Sequence, residues 1–331
     1  MSSSVLPSVS VIIPAYNAAK YIGEALDSVL AQTFTSYEII VINDGSPDTD
    51  KLERELDAYS ANIRYLKQEN QGAAAARNAG LRAATGEFVA FLDADDTWLP
   101  NFLENQLAFL HSSKADVVFS DAMLLGESPL AGRTFMEVQP SRGEVTTESL
   151  LATNVTVLTS AVLARKKPIL DVALFDPNMK RGHDFDLWFR LAKAGARFAY
   201  RRQVLAHHRI VESGLSGDIL SQLKRTLAVL ESIKTREQLT ESEQAALQLS
   251  LKRTLGELAT ENGKAKLLSR DFVGALQSFR EARHLRQSWK LTLACLGLRI
   301  APEMLRRIYS QRNGNFPQKS KDATSFRGSS L

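Results

Sequence analysis

The run FVAFLDADDTWLP, Phe88 to Pro100, constrains the fold more than any other stretch of this chain. Its continuous apolar start, Phe88 to Leu92, suits a strand covered on both faces. Three carboxylates follow at once, Asp93, Asp95 and Asp96. Like charges this close repel one another. The edge of a core holds them only if something positive sits among them.

The pattern recurs upstream. Val9 to Ile13 (VSVII) ends in Pro14-Ala15-Tyr16-Asn17, and Glu38 to Ile42 (EIIVI) ends in Asn43-Asp44-Gly45-Ser46. Ile63 to Leu66 reads as a further strand. Helical periods lie between: Ile22, Leu26, Val29 and Leu30 share one face, Leu52, Leu56 and Tyr59 another. Ala73 to Ala84 is rich in alanine, the strongest helix former. Such strand-helix-strand units predict an α/β fold with a mostly parallel, Rossmann-like sheet and helices on both faces. Ligands of such sheets bind at the carboxyl ends of the strands. Three polar strand ends on one rim therefore predict a site.

Acids at a strand end suit a hard divalent cation such as Mg²⁺ or Mn²⁺, which takes oxygen ligands from one or two carboxylates plus substrate phosphates. The competing reading makes Asp95 or Asp96 the N-cap of a helix starting near Leu99.

The middle of the chain, about Asn101 to Asp218, is mixed. Val117 to Ser120 and Val155 to Leu163 read as strands, and Asp184 to Ala194 as a helix with Leu187, Trp188 and Leu191 inward. From Ile219 to about Arg286 the pattern is helical throughout. Lys264 to Arg283 has the spacing of one helix-turn-helix repeat, with no second copy. Trp289 to Tyr309 is apolar and basic, interrupted by Pro302. It either caps the helical region with its basic groups reaching water, or lies in a membrane interface against anionic lipid. From Gln311 onward the sequence is polar, and disorder is expected.

Composition narrows the classes. The 331 residues suffice for two domains, and a net charge of +4 is too mild for a nucleic-acid binder. A single cysteine, Cys295, excludes an intramolecular disulfide framework and a thiolate metal cluster, and fits a reducing cytoplasm. MSSSVLPSVS does not read as a signal peptide, and no apolar window is long enough to span a bilayer.

The stretches SVIIPAYNAAKYIGEALDSVLAQTF, EIIVINDGSPDTD, NQGAAAARNAGLRAATGEFVAFLDADDTWLP and HDFDLWFRLAKAG, in this order, resemble the family 2 glycosyltransferases of the GT-A fold. The resemblance is continuous from about Val9 to Leu107 and patchier to about Ser216. It implies inverting transfer of a sugar from a nucleotide diphosphate donor, usually a UDP-sugar, with Mn²⁺ or Mg²⁺ on the diphosphate. It also implies a glycan or lipid-linked acceptor in cell-envelope polysaccharide synthesis, and a cytoplasmic enzyme, peripheral at most on the inner membrane face. The implied organisation is a nucleotide-sugar half (1–107), an acceptor half (108–218), a helical region (219–310) and a tail (311–331).

Carried over by residue, the resemblance makes Asp44 the acid that meets the donor base, with Pro14, Tyr16, Asn17, Gly45 and Ser46 around base and ribose. Tyr16 alternatively just packs. Arg77 either orders the nucleotide or pairs with a rim carboxylate. Asp93-Ala94-Asp95 is the family's DXD motif: Asp93 for ribose or metal, Asp95 for the metal, with Asp96 a cap or a supporting group. Asp184 matches the base that takes the acceptor's proton, its alternative being a helix N-cap. Asp186 is placed to pair with Arg190.

Two departures stand out. His183 replaces the Glu that usually precedes the base, and it is either neutral in effect or a tuner of Asp184. Arg209 aligns with an arginine near the diphosphate, but Val211 stands where a His is usual. His207 and His208, adjacent on a strand, face opposite sides and do not share one ion. Ile210 to Gly217 is expected to act as a lid. These departures leave room for a non-catalytic nucleotide-sugar-binding or assembly protein. A nucleotidyltransferase would carry a Gly-rich basic loop after its first strand, which PAYNAAKYI is not.

Overall fold

A computed structural model describes residues 6–179, 181–210 and 219–313. Its strands are β1 (Val9–Ala15), β2 (Tyr37–Asp44), β3 (Ile63–Gln68), β4 (Phe88–Phe91), β5 (Thr97–Trp98), β6 (Val117–Leu125), β7 (Val162–Arg165) and β8 (Phe198–Arg209). They form one sheet in the order β3-β2-β1-β4-β7-β6-β8-β5. The block β3-β2-β1-β4 is parallel throughout, as the strand-helix alternation predicts. β7 then runs antiparallel between β4 and β6. β8 is parallel to β6, and β5 antiparallel to β8.

The helices of the parallel block are α1 (Ile22–Leu30), α2 (Thr49–Asp57) and α3 (Ala73–Ala83). Then come α4 (Phe102–Ser113), α5 (Phe135–Val138), α6 (Thr147–Leu151), α7 (Lys166–Asp171) and α8 (His183–Lys193). The chain closes with α9 (Ile219–Arg236), α10 (Glu241–Leu268), α11 (Phe272–Arg286), α12 (Trp289–Ile300) and α13 (Pro302–Asn313).

The side-chain period of two along each strand sorts the core. Val11, Ile13, Ile39 and Val41 pack on one face with Ile22, Leu26 and Leu52. Ile12, Ile40 and Ile42 pack on the other with Ala76, Leu81, Leu187 and Trp188. Each such buried aliphatic contributes roughly 1.5–3 kcal/mol, so both faces must stay covered.

One predicted strand is shorter than its sequence pattern. Of Val155 to Leu163 only the end enters the sheet, as β7; Thr159–Ala161 is a single 3₁₀ turn. The polar groups here have other partners. The Ser160 carbonyl accepts the Trp98 indole N–H at 2.7 Å, and the Ser160 hydroxyl accepts the Asp93 amide at 3.2 Å.

Two compact units divide the chain, one up to Leu251 and one from Lys252. In the first, Val229, Leu230 and Ile233 of α9 pack with Leu151, Phe189, Leu247 and Leu251. The second has its own core, including Leu267, Ala275, Phe279, Leu291, Cys295 and Leu298. Asp271 accepts the Gly274 amide at 2.8 Å and so starts α11, which produces the predicted helix-turn-helix. Pro302 opens α13, where its fixed φ and missing N–H are tolerated. Gln311 to Asn313, where disorder is expected, form the last turn of α13; the rest of the expected tail lies outside the described residues. Among these residues no helix is long and apolar enough to cross a membrane.

Gly45 fixes the turn after β2. Its φ is +60°, and a Cβ there would lie 2.5 Å from the backbone nitrogen of Asn70. Gly45→Ala is expected to lower unfolding free energy by at least about 1 kcal/mol, read from the midpoint of urea denaturation at unchanged m-value.

Candidate active site

Because β2, β1 and β4 are parallel neighbours, their carboxyl ends share one edge of the sheet. The first two ends are tied to each other. Asn17, at φ +54°, donates its amide to the Ser46 hydroxyl at 2.6 Å. Ser46 donates in turn to Asp48 and is held by Asn43, whose Oδ1 accepts its amide at 2.9 Å. Tyr16 is 55% exposed, so it is not a packing residue. Pro14 is half-buried beside it.

Asp44 is buried, and both its oxygens serve the chain itself. They accept from Gln68 Nε2 at 2.7 Å, the Gln71 amide at 2.9 Å and the Gly72 amide at 2.8 Å. These bonds shape the loop that enters α3. A carboxylate offers about four acceptor positions, which leaves Asp44 about one for a ligand.

The positive group among the carboxylates is Arg77. Its side chain, on α3, is only 4% exposed. Nη2 donates to Asp93 at 2.5 Å, while Nη1 reaches Asp184 at 3.3 Å and His183 Nε2 at 2.7 Å. The guanidinium also lies over the Phe175 ring, 5.7 Å from its centroid. Phe175 is fastened to α3 by Asn78, whose side chain bonds both its carbonyl (2.8 Å) and its amide (3.0 Å). Of the two roles open to Arg77, the structure displays the rim pair. Burial opposes the charge on Asp93, but Arg77 outweighs it and holds the carboxyl below the usual range.

His183 sits in the same knot. Arginine can only donate, so the His183 Nε2 that faces it accepts, and the ring proton is on Nδ1. Burial pushes the His183 pKa down, and Arg77 adds to this against the pull of Asp184. The contact with Arg77 and the burial both favour the neutral imidazole. Its Nδ1 has no partner among the described residues, and its ring meets Phe175 edge-on at 5.8 Å.

Asp184 lies in the first turn of α8, but it is not the N-cap. Gly182 holds that place with no side-chain bond. Asp186, fully buried, pairs with Arg190 at 2.8 Å as the spacing predicts, and also with Arg236 of α9.

Asp96 corrects the capping expectation. The N-cap of α4 is Asn101, which makes no side-chain bond. Asp96 instead grips β8, taking the Arg209 amide at 2.8 Å and His208 Nδ1 at 3.0 Å. Burial disfavours a charged His208, yet Asp96 outweighs it and lifts the imidazole from 6.5 to about 9. His207 turns to Thr97 Oγ1 at 3.2 Å, so the two imidazoles have separate partners, as strand geometry requires. Arg209 donates to the Asp95 carbonyl at 3.1 Å and pairs with Glu24 at 2.6 Å, its guanidinium over Tyr21. The expected lid lies, from Val211 onward, outside the described residues.

Asp95 is the acid left over. Arg77 meets Asp93 and His208 meets Asp96, but among the described residues no cation pairs with Asp95. Burial first, then Asp96 and Asp93, push its pKa up to about 7. Such a group takes up either a proton or a cation near neutrality. No cage of three or more His, Cys, Asp or Glu is gathered among the described residues, so a cation here would rest on Asp95, with Asp93 nearby, and take its other ligands from substrate.

The sequence reading did not single out Phe175, Asn78, Ser160 or Glu24. Asn78 stands next to Arg77 in NQGAAAARNAG and had a local signal; the other three are joined to the site only by the fold.

Residues 10–170 match the profile of Glycosyl transferase family 2. A glycosyltransferase of Rickettsia typhi is 31% identical over 274 residues, covering 78% of this chain and 82% of that one. The Escherichia coli protein named UDP-Glc:alpha-D-GlcNAc-diphosphoundecaprenol beta-1,3-glucosyltransferase is 30% identical, over 67% of this chain and 85% of that one. Among solved structures, Staphylococcus aureus TarS in complex with UDP-GlcNAc superposes with a TM-score of 0.61 at 19% identity, over 97% and 99% of the two chains. A Pyrobaculum calidifontis mannosyltransferase in complex with GDP-Man and Mn²⁺ also gives 0.61 at 19% identity, over 94% and 85%. Both have the GT-A architecture of the first unit's sheet, and identities this low speak for fold alone.

The raised pKa of His208 makes stability pH-dependent. Its contribution is complete below 6.5 and is lost as pH rises through about 9. Melting temperature is expected to fall across that window, and His208→Gln to flatten the fall. Arg77→Met leaves Asp93 and Asp184 uncompensated, and is expected to lower unfolding free energy by about 2–3 kcal/mol in urea titration. That is below the roughly 3–5 kcal/mol of a fully buried broken pair, because each aspartate side chain is 34% exposed.

Proposed function

Since this chain belongs to glycosyltransferase family 2, we propose that it moves a sugar from a UDP-sugar to a hydroxyl of a glycan or lipid-linked acceptor, with inversion. The supporting observation is the placing of Asp93 and Asp184 on the two terminal nitrogens of one buried guanidinium. Asp93 ends the nucleotide-side strand β4, and Asp184 opens α8 in the acceptor half (108–218). Arg77 therefore holds the two halves of the reaction in one arrangement.

In this reading, residues 1–107 bind the donor. The base lies against Tyr16 and Pro14 and meets the remaining acceptor position of Asp44. Asn17, Gly45 and Ser46 give the loops their shape, and the Gly45 backbone allows close approach. Arg209 lies beside Asp95 and reaches the diphosphate by sharing or leaving Glu24. The donor set around Asp95 and Asp93 fits a divalent cation. Mn²⁺ or Mg²⁺, when bound, would offset the charge of the leaving diphosphate.

Asp184 takes the acceptor's proton. Its Oδ1 already accepts from Arg77, which leaves Oδ2 for the acceptor. As its oxygen attacks the anomeric carbon on the face opposite the diphosphate, the acceptor loses its proton to this carboxylate. His183 stands where a second carboxylate is usual and brings no further negative charge. We place the reaction in the cytoplasm, where nucleotide sugars are made and where a thiol such as Cys295 stays reduced.

Asp184→Asn is expected to lower turnover by roughly 10²–10⁴-fold, followed by UDP release from a panel of UDP-sugars, with UDP affinity by calorimetry unchanged. Loss of UDP binding along with turnover would refute the base assignment. Asp95→Ala is expected to abolish the Mn²⁺-dependent rise in melting temperature seen with UDP; an unaltered rise would remove Asp95 from the metal site.

A further inference from the structure

The second unit carries a surface to which the proposed mechanism gives no role. On α12, Trp289, Leu293, Leu296 and Ile300 are 69%, 57%, 48% and 76% exposed. Their spacing of four, three and four puts them in one stripe along the helix. On α13, Met304 and Ile308 are exposed one turn apart. The opposite side of α12 (Leu291, Cys295 and Leu298) is already buried in the unit's core, so the stripe is not a misplaced core face.

Beside it, Arg280 and Arg283 of α11 and Arg299 and Thr292 of α12 line a cavity of about 120 Å³, whose remaining wall is Cys295 and Leu296. Leu296 belongs to both stripe and cavity. Two of the unit's acids are engaged with other arginines, Glu257 with Arg286 at 3.6 Å and Glu303 with Arg270 at 3.5 Å and Arg306 at 2.8 Å, and Glu261 pairs with Lys264. No acid pairs with Arg280, Arg283 or Arg299 among the described residues. Three guanidiniums around one hollow repel each other unless an anion sits between them, and guanidinium geometry suits phosphate oxygens.

We propose that α11–α13 form a docking surface for an anionic phospholipid membrane, with headgroup phosphate in the arginine cavity and the α12 stripe in the acyl boundary. Apolar stripe and cationic pocket, side by side, match the two layers of such an interface. Charge decides between this and a second copy of the chain. From Phe272 to Asn313 the only acids are Glu281 and Glu303, so two copies meeting face to face would oppose arginine to arginine. The inference does not depend on the donor, acceptor or mechanism proposed above.

The test is co-sedimentation of the full chain with vesicles of phosphatidylglycerol and phosphatidylcholine in equal parts, and with phosphatidylcholine alone. Binding is expected only to the first, and to weaken with added salt. At about 1 kcal/mol per surface arginine, the triple variant Arg280→Gln, Arg283→Gln, Arg299→Gln is expected to weaken it by about 100-fold. The pair Leu293→Ser, Ile300→Ser is expected to weaken it without altering its dependence on anionic lipid. A control of equal charge, Arg54→Gln, Arg64→Gln, Arg82→Gln, keeps binding. Equal binding to both vesicles, equal loss in the control, or a soluble dimer that Leu293→Ser dissociates in place of vesicle binding would each overturn the proposal.

Discussion

The buried guanidinium of Arg77 is the contact on which the site depends. A permanently charged group can be held at 4% exposure only if carboxylates meet it. Asp93 and Asp184 do so from elements far apart in the chain. Phe175 and Asn78 then close the space beneath the guanidinium, so that α3, the end of β4, the start of α8 and the loop before it form one structure.

Around that contact, neighbouring acids of identical chemistry differ by environment alone. Asp93 is kept ionised by Arg77. Asp96 binds the end of β8 through His208 and the Arg209 amide, and therefore helps build the sheet as much as the site. Asp95 has burial and two like charges against it and, among the described residues, no cation paired with it, which lifts it to about 7. One strand end thus holds a paired acid, a structural acid and an acid short of positive charge. His183 fits this balance, because a neutral imidazole accepts from Arg77 without drawing its charge from the aspartates.

Much of the first third was legible in the sequence. Apolar runs ending in polar residues marked β1, β2 and β4, and parallel pairing followed from the helices between them. It placed Asp44 and Asp93 on one rim. Val155 to Leu163 was less legible: its β-branched residues suit a strand, but Ser160 uses both its carbonyl and hydroxyl on Trp98 and Asp93, a demand no local pattern announces. The same holds for Asp96, whose position before a helix suggests a cap while its partners lie on β8.

By itself the sequence determined which residue types stand at each strand end, because the period of hydrophobic burial is a local property of the backbone. It also determined that these acids needed a counter-charge. Only the tertiary structure decided that Arg77 supplies it to Asp93 and Asp184, that His208 supplies it to Asp96, and that Asp95 is left without a partner among the described residues. Charge pairing depends on distance in space and on burial, and residues as far apart as Arg77, Asp184 and His208 acquire both only when the sheet closes around them.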